Sequence, residues 1–197
     1  MDERIQLTSI DVIASALGPV APTLGQMSSP DGAVTLMLSD IADAGTAAER
    51  LGPERWERLL ADHRVLVEQL VAHHDGTIVK FERDGFLASF TSAQAGLHAA
   101  IELQRTFTGG DGAGEQPLGI RVGVHSGFVI ANPDQLLGRN VVLAARIAAQ
   151  AKAGEILVSS NLKEYTQSDP TLSFEEHGEY HFKGLHGEHL LFAVRWR

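Results

Sequence analysis

The hydrophobic pattern of the chain changes its period several times between residues 34 and 194. Positions 34–38 (VTLML) are almost continuously apolar, which is typical of a central strand covered on both faces. Apolar residues between positions 56 and 71 recur at helical spacing, after a proline at position 53 where helices commonly begin. Residues 120–124 alternate between apolar and other side chains, as a strand does. The pattern therefore predicts an α+β domain.

The predicted elements follow the order β-α-β-β-α-β, then α-β and a trailing β segment. Asp84-Gly85 favours a tight hairpin turn between two strands within residues 77–90, and residues 91–94 (TSAQ) resemble a capping box that opens the next helix. The remaining elements are predicted at 120–124, 127–131, 139–152, 156–158, 173–177, 180–183 and 190–194. This order predicts a ferredoxin-like βαββαβ core with C-terminal αβ additions.

Residues 1–31 differ from the rest of the chain and are predicted to form an N-terminal helix and linker before a domain at 32–197. The helix is expected to end at Gly18-Pro19, and prolines 22 and 30 mark the linker. Two interpretations stay open: the segment is a docking arm, or it is the end of a signal-transmitting segment from an upstream domain.

Composition narrows the function classes. The 197 residues carry a net charge of -9, which argues against binding to nucleic acid or to an acidic membrane. The chain has no cysteine, so disulfides and thiolate chemistry are excluded, and this suits a reducing, cytoplasmic location. No apolar run is long enough to span a membrane.

Two carboxylates stand out from the pattern. Asp40 ends the central strand, where a charged group is costly to bury unless it binds a cation or a donor. Asp84 lies at the predicted hairpin tip. If the two strands are neighbours, the carboxylates face each other and repel, and a divalent cation is the usual remedy.

Six motifs in a fixed order resemble the catalytic domain of the bacterial class III adenylate and guanylate cyclases. The resemblance covers residues 32–197, and six motifs in order are far more specific than one short pattern. The motifs are SDI at 39–41, the hairpin with GFLASF at 76–90, IRVGVHSG at 120–127, GRNVVLAARI at 138–147, GEILVS at 154–159 and KGL at 183–185.

The resemblance implies a two-metal site for Mg²⁺ or Mn²⁺. Asp40 and Asp84 are implied to hold both ions, with the backbone carbonyl of Ile41 as an additional ligand. Arg146 is implied to stabilise the phosphates in the transition state. Asp40, Asp84 and Arg146 are thus the expected catalytic residues.

The resemblance also implies how the nucleotide is bound. Lys80 and Gln135 occupy the two base-selecting positions, and Lys183 matches the lysine that grips the triphosphate. A lysine donor suits N1 of adenine, whereas the glutamine amide can both donate and accept. The two halves of each site are expected to come from different subunits of a homodimer, with Lys80 and the metals on one and Arg146 and Gln135 on the other.

Three departures from the family pattern indicate a degenerate active site. Val142 stands where an asparagine should orient the ribose oxygen, and Asn140 lies two residues away, roughly 200° around the helix. Arg83 replaces a glycine before Asp84, a position that an arginine tolerates poorly if φ is positive. Gln135 replaces an aspartate or threonine, and because its amide can both donate and accept, this position does not distinguish ATP from GTP.

Three hypotheses follow from these residues. The first is a homodimeric cyclase that converts ATP, or alternatively GTP, to the cyclic nucleotide and pyrophosphate, with slow or conditional activity. The second is an inactive, cyclase-like regulatory module that dimerises, binds nucleotide and serves as a sensor or scaffold for a partner domain. An upstream regulatory domain or a partner subunit is the expected partner. The third is a related two-carboxylate palm of the polymerase or diguanylate cyclase type, which lacks support because the Gly-Gly-Asp/Glu-Glu/Asp-Phe hairpin is missing.

Overall fold

The computed structural model describes residues 9–15, 32–108, 118–128 and 133–197, with only the backbone at 11, 14, 15 and 133–137. The helices are α1 (Ser9–Ser15), α2 (Ala44–Leu51), α3 (Pro53–His73), α4 (Ala93–Thr108), α5 (Pro133–Gln150) and α6 (Ser160–Thr166). The strands are β1 (Ala33–Ile41), β2 (Gly76–Glu82), β3 (Gly85–Phe90), β4 (Ile120–Phe128), β5 (Ile156–Ser159), β6 (Ser173–Tyr180) and β7 (His189–Arg195).

The strands form one seven-stranded sheet in the order β2-β3-β1-β4-β5-β7-β6. The strand β1 pairs antiparallel with both β3 and β4, and β4 pairs parallel with β5. The first four strands in this order, with their crossover helices, form the ferredoxin-like core. The predicted α+β, ferredoxin-like fold is confirmed, and the sheet continues beyond it through β5, β7 and β6.

Strand β1 is buried on both faces, as its apolar run predicts. Met37 and Ile41 pack on one face with the core of α3 and α4. Leu36 and Leu38 pack on the other face with α1 and α5. Because side chains alternate along a strand, Asp40 lies on the same face as Leu36 and Leu38. The face that carries α1 and α5 therefore also carries the first candidate carboxylate.

Helix α5 lies directly on β4 because β4 has a glycine below it. A Cβ at Gly123 would lie 2.3 Å from the backbone nitrogen of Ala148, which leaves no room for any side chain. The small residues Ala144, Ala145 and Ala148 form the buried side of the helix. The motif residues of 138–147 are thereby held at a fixed height above the sheet.

Helix α1 lies beside α5 on the same face. Ile10 and Ile13 are 1% and 0% exposed and pack against the β1 and β3 side chains of this face. Burial of two isoleucines stabilises by about 3 to 6 kcal/mol before ordering costs are counted. The predicted helix stop at Gly18-Pro19 and the predicted linker lie outside the described residues, as does the loop at 109–117.

Several predicted boundaries are wrong. Residues 120–128 form one strand rather than two, because the whole stretch pairs with β1 from Ile41↔Ile120 to Ala33↔Phe128. Helix α5 begins at Pro133, six residues before the predicted start at Arg139. The predicted strand at 180–183 is a turn after Tyr180, because the β6 ladder ends at the pair Tyr180↔His189.

Two helix starts also differ from the prediction. The predicted capping box at 91–94 is wrong in register: Ser92, not the threonine before it, caps α4 and accepts a bond of 3.3 Å from the nitrogen of Ala95. Helix α2 was not among the predicted elements, and Asp43 precedes it with φ of 54°. Helix α2 contributes residues near the candidate site.

A histidine is buried in the core between α3 and the sheet. The His63 ring lies 4.9 Å from the Phe107 ring and 6.4 Å from the Phe86 ring, measured between centroids. Its Nε2 has no hydrogen-bond partner among the described residues. Burial lowers the pKa of His63 to about 4, with a further lowering from the charge of Arg64. The folded protein therefore holds this ring neutral.

This burial predicts a loss of stability in acid. The unfolded chain binds a proton at His63 below about pH 6.5, whereas the folded chain does so only near pH 4. The free energy of unfolding should fall by about 3 kcal/mol as the pH drops through that window. His63→Leu should remove this loss, measured by urea unfolding at several pH values. The same substitution at the exposed His181 is the control, and an equal pH slope in both variants would contradict the assignment.

Candidate active site

The first candidate carboxylate is held by a cross-strand arginine. Asp40 on β1 pairs directly with Arg121 on β4. The guanidinium Nε donates to Oδ1 of Asp40 at 2.8 Å, and Nη2 donates to Oδ2, so the contact is bidentate. Asp40 is 2% exposed. Sequence reasoning missed Arg121, although the alternation of β4 puts it on the face opposite Ile120 and Val122.

Three acidic side chains act on this arginine. The pKa of Arg121 is raised above its ordinary value, first by the hydrogen bond with Asp40, although burial acts in the opposite direction. The charges of Asp40, Asp84 and Asp43 raise it further. The group formed by Asp40, Asp84 and Arg121 is called the acidic site below. Its negative charge exceeds the one positive charge at its centre.

The second carboxylate is brought to the first by the β1–β3 pairing. The register ends at Ser39↔Phe86, so Asp40 follows opposite Gly85, the neighbour of Asp84. A Cβ at Gly85 would lie 3.3 Å from the Cβ of Asp40 and 2.9 Å from the carbonyl oxygen of Ser39. The predicted juxtaposition of Asp40 and Asp84 at one edge of the core is therefore what the strands produce, and only a glycine fits between them.

The hairpin that carries Asp84 contains a strained residue. Arg83 has φ of 52°, in the left-handed region that costs a side-chain-bearing residue roughly 1 kcal/mol or more. This is the backbone conformation expected for the glycine that Arg83 replaces. Next to it, Oδ1 of Asp84 accepts a hydrogen bond of 2.5 Å from the hydroxyl of Ser9.

An open cleft of about 340 Å³ lies beside Asp84. Small residues at the start of α2 and apolar residues of α3 form its walls, together with the hairpin turn: Ala44, Gly45, Ala48, Trp56, Leu60, Arg83 and Asp84. The small residues leave room next to the carboxylate.

A β-bulge places Lys80 on the same face as the acidic site. The β2–β3 register shifts between Ile78 and Lys80, and Lys80 then pairs with Leu87, whose side chain lies on the face of α1. Without the bulge Lys80 would share the face of Ile78. Its Nζ forms an ion pair with Oε2 of Glu82 at 3.4 Å, and both side chains are partly buried.

The other predicted site residues lie elsewhere on the chain. Val142 and Arg146 are one turn apart on α5 and are both half-buried. Lys183 is exposed in the turn after β6, at the far edge of the sheet. The side chain of Gln135 lies outside the described residues. The acidic site, Ile41 and Lys80 thus share one region, whereas Lys183 does not join them within one chain.

Asn140 is already engaged by the sheet. Its Oδ1 lies 3.3 Å from Nε2 of His125, and its Nδ2 donates to the carbonyl of Phe128 at 3.3 Å. His125 also shares a hydrogen bond of 2.8 Å with the hydroxyl of Ser159, and burial lowers its pKa to about 4. The amide of Asn140 is therefore committed away from the position of Val142.

The donor set at the acidic site suits a hard divalent cation. Two carboxylates on adjacent strands, with the backbone carbonyl of Ile41 next to Asp40, offer oxygen ligands only, as Mg²⁺ and Mn²⁺ prefer. Within the described ranges no group of three or more His, Asp or Glu side chains could hold a metal. Such an ion would therefore need further oxygen ligands from water or from phosphate.

The buried ion pair predicts a large and specific loss of stability. Arg121→Met would leave the buried Asp40 without its cation, which typically costs about 3 to 5 kcal/mol. The free energy of unfolding in urea measures this loss, and adding Asp40→Asn should recover part of it.

Arg195→Met is the matched control for that experiment. Arg195 pairs with Glu175 at 2.8 Å, but the two side chains are 63% and 60% exposed, so the loss should stay within about 1 kcal/mol. Equal losses in the two arginine variants would show that the Asp40–Arg121 pair contributes no more than a surface contact.

Among the described helices, none combines the length and apolar character needed to cross a bilayer.

The chain is similar to a Rhizobium meliloti (strain 1021) protein whose name assigns it to the adenylate cyclases. The two are 30% identical over 129 residues, which are 64% of this chain and 22% of that protein. A Mycobacterium bovis relative is covered over 44% of its length. The chain thus spans less than half of these relatives.

Solved structures give the same fold. The adenylyl cyclase CyaB from P. aeruginosa has a TM-score of 0.70 at 24% identity, covering 83% of this chain and 93% of that one. An adenylate/guanylate cyclase/hydrolase from Silicibacter pomeroyi has a TM-score of 0.68 at 26% identity, covering 82% and 95%. The family profile of the adenylate and guanylate cyclase catalytic domain matches residues 27–195. The chain belongs to the family of adenylate and guanylate cyclase catalytic domains.

Proposed function

We propose that the chain converts ATP to cyclic AMP and pyrophosphate at the interface of a homodimer. The observation that carries the proposal is the acidic site: Asp40 at the end of β1 lies beside Asp84, which immediately precedes β3 and lines an open cleft. Family membership supports the reaction class, and the finer assignments rest on the residues of this chain. We propose that the reaction takes place in the cytoplasm.

Asp40, Asp84 and the carbonyl of Ile41 would hold two Mg²⁺ or Mn²⁺ ions. Bound there, the ions would supply a lowered pKa of the ribose 3′-hydroxyl and stabilise charge on the leaving pyrophosphate. Arg121 keeps Asp40 ionised and oriented through its bidentate contact. Arg121 is also a cation close enough to the site to attract an anionic phosphate.

Lys80 favours ATP over GTP. The bulge directs it to the face of the acidic site, where its amine can donate to N1 of adenine. Guanine carries a hydrogen on N1 and needs an acceptor there, which a lysine cannot provide. Glu82 holds the amine at 3.4 Å, so the base would have to compete for it or share it. Gln135 is proposed as the second base-selecting residue.

The sheet supports a dimeric site. Four strand-to-strand steps separate β1 from β6, which is about 19 Å at the usual strand spacing. Lys183 also follows Tyr180, at the end of the sheet opposite the Asp40↔Arg121 pair. A phosphate at the acidic site is thus out of reach of Lys183 in the same chain. A second copy would bring Lys183, Gln135 and Arg146 to it.

Arg146 is proposed to stabilise the charge that develops on the phosphate. A preorganised cation at that point lowers the barrier electrostatically. Val142, one turn away, offers no hydrogen bond to the ribose, so the reacting oxygen is less well oriented. This predicts slow turnover rather than a different reaction.

An inactive regulatory module is the second candidate. Two observations favour it: the apolar Val142 next to Arg146, and the strained, bulky Arg83 beside Asp84. Such a module would dimerise and bind nucleotide without turnover, and would act through an upstream domain or a partner subunit.

The direct test is cyclic nucleotide formation from Mn²⁺-ATP and Mn²⁺-GTP by the purified chain. Asp40→Asn should lower turnover by about 100-fold or more, since a metal ligand is lost. Asp62→Asn, an exposed position on α3, is the matched control and should leave turnover unchanged. Product from neither nucleotide above the Asp40→Asn level would favour the inactive module, and product from GTP alone would overturn the choice of substrate.

Restoring the ribose contact gives a second test. Val142→Asn should raise turnover by about tenfold, because one orienting hydrogen bond returns. Val142→Ala is the control, since it also removes the valine side chain but adds no donor or acceptor. If the asparagine and alanine variants turn over at the same rate, position 142 does not limit the reaction.

A further inference from the structure

Helix α1 closes the acidic site from one side. The hydroxyl of Ser9 donates to Oδ1 of Asp84 at 2.5 Å, and Ser9 is 3% exposed. A Cβ at Gly85 would lie 2.9 Å from the Cβ of Ser9, so α1 rests directly on the hairpin turn. The first residue of α1 is thus hydrogen-bonded to one of the two carboxylates that the proposed reaction needs.

The apolar side of α1 fixes it on the catalytic face. Ile10 and Ile13 pack into the cluster that contains Leu38 and Leu87 of the sheet and Val141 of α5. This face also carries Asp40, Arg121 and, after the bulge, Lys80. The helix therefore covers the part of the sheet between α5 and the hairpin, where the proposed dimer would need access from a second copy.

The helix is short enough to leave its place without unfolding the domain. It has seven residues, and isolated helices below about 12 residues are marginal in water. Its described contacts are with α5 and with strands β1, β2 and β3. The core cluster on the opposite face of the sheet, which packs against α3 and α4, contains no described residue of α1. Local release of such a peripheral element is expected to cost less than global unfolding.

We infer that α1 is an autoinhibitory strap that competes with the divalent cation for Asp84 and with the second copy for the catalytic face. This inference rests on the proposed function, because it assumes that Asp84 holds a metal. Metal binding and strap release are then coupled, and the coupling is reciprocal: removing the strap tightens metal binding, and metal binding loosens the strap.

The first experiment measures Mn²⁺ binding alone, by electron paramagnetic resonance titration without nucleotide. Ser9→Ala removes the hydroxyl that bonds to Asp84 and should tighten Mn²⁺ binding by about tenfold, the equivalent of one charge-assisted hydrogen bond. Ser173→Ala, an exposed serine on β6, is the matched control and should bind Mn²⁺ like the unmodified chain. Asp84→Asn should weaken binding.

The second experiment uses the absence of native cysteine. Ile13→Cys places a single thiol at a fully buried position of α1, and Val158→Cys places one in β5 on the opposite side of the core. The labelling rate of each thiol reports how often its surroundings open. Saturating Mn²⁺ should speed labelling at position 13 by about tenfold and leave position 158 unchanged.

The outcomes separate the inference from the proposed function. Two results together would show that α1 is a permanent part of the core: equal Mn²⁺ affinity with and without the Ser9 hydroxyl, and a labelling rate at position 13 that does not change with Mn²⁺. The proposed metal site would be unaffected by that outcome. If even Ser9→Ala binds no Mn²⁺, both the strap and the metal part of the proposed function fail. Acceleration at both cysteines would mean global opening and would also overturn the strap.

Discussion

The ion pair between Asp40 and Arg121 is the interaction on which the site depends. A carboxylate that is 2% exposed in the middle of a sheet would otherwise be protonated or would destabilise the fold. The direct cross-strand register of β1 and β4 lets one guanidinium bind both carboxylate oxygens. The negative charge of Asp40 is thereby kept at the end of β1, and the pairing of β1 with β3 places Asp84 next to it. The fold thus maintains a local excess of negative charge next to a cleft, which is the condition for binding a divalent cation.

The sequence predicted the parts of this arrangement that depend on local pattern. The apolar run at 34–38, the Asp-Gly turn and the motif order were sufficient for the ferredoxin-like core and for the meeting of Asp40 with Asp84. The partner of Asp40 was missed because strand register, which selects Arg121, is a long-range property. The bulge that turns Lys80 to the catalytic face and the contact of Ser9 with Asp84 have the same origin. The boundary errors at β4 and β6 arose because pairing with a neighbour extends or ends a strand irrespective of its own residues.

Two departures from the family pattern, Arg83 and Val142, lie next to residues with proposed catalytic roles rather than in the hydrophobic core. Arg83 stores backbone strain beside Asp84, Val142 removes a polar contact beside Arg146, and α1 covers the carboxylate of Asp84. The gross stabilisation from the two buried isoleucines of α1, about 3 to 6 kcal/mol, is similar to the binding free energy of a ligand with millimolar to tens-of-micromolar affinity. A metal ion together with a nucleotide is therefore of the right strength to displace the helix, and the same fold can be silent or active.

The central claim is that Asp40 and Asp84 together hold divalent cations against a nucleotide. The most direct measurement is the anomalous scattering of Mn²⁺ in crystals grown with a non-cyclisable ATP analogue. The account predicts manganese peaks bounded by the carboxylates of Asp40 and Asp84, with the triphosphate completing the ligands and the hydroxyl of Ser9 no longer on Asp84. Nucleotide bound without manganese between these two carboxylates, or manganese bound only elsewhere, would contradict it.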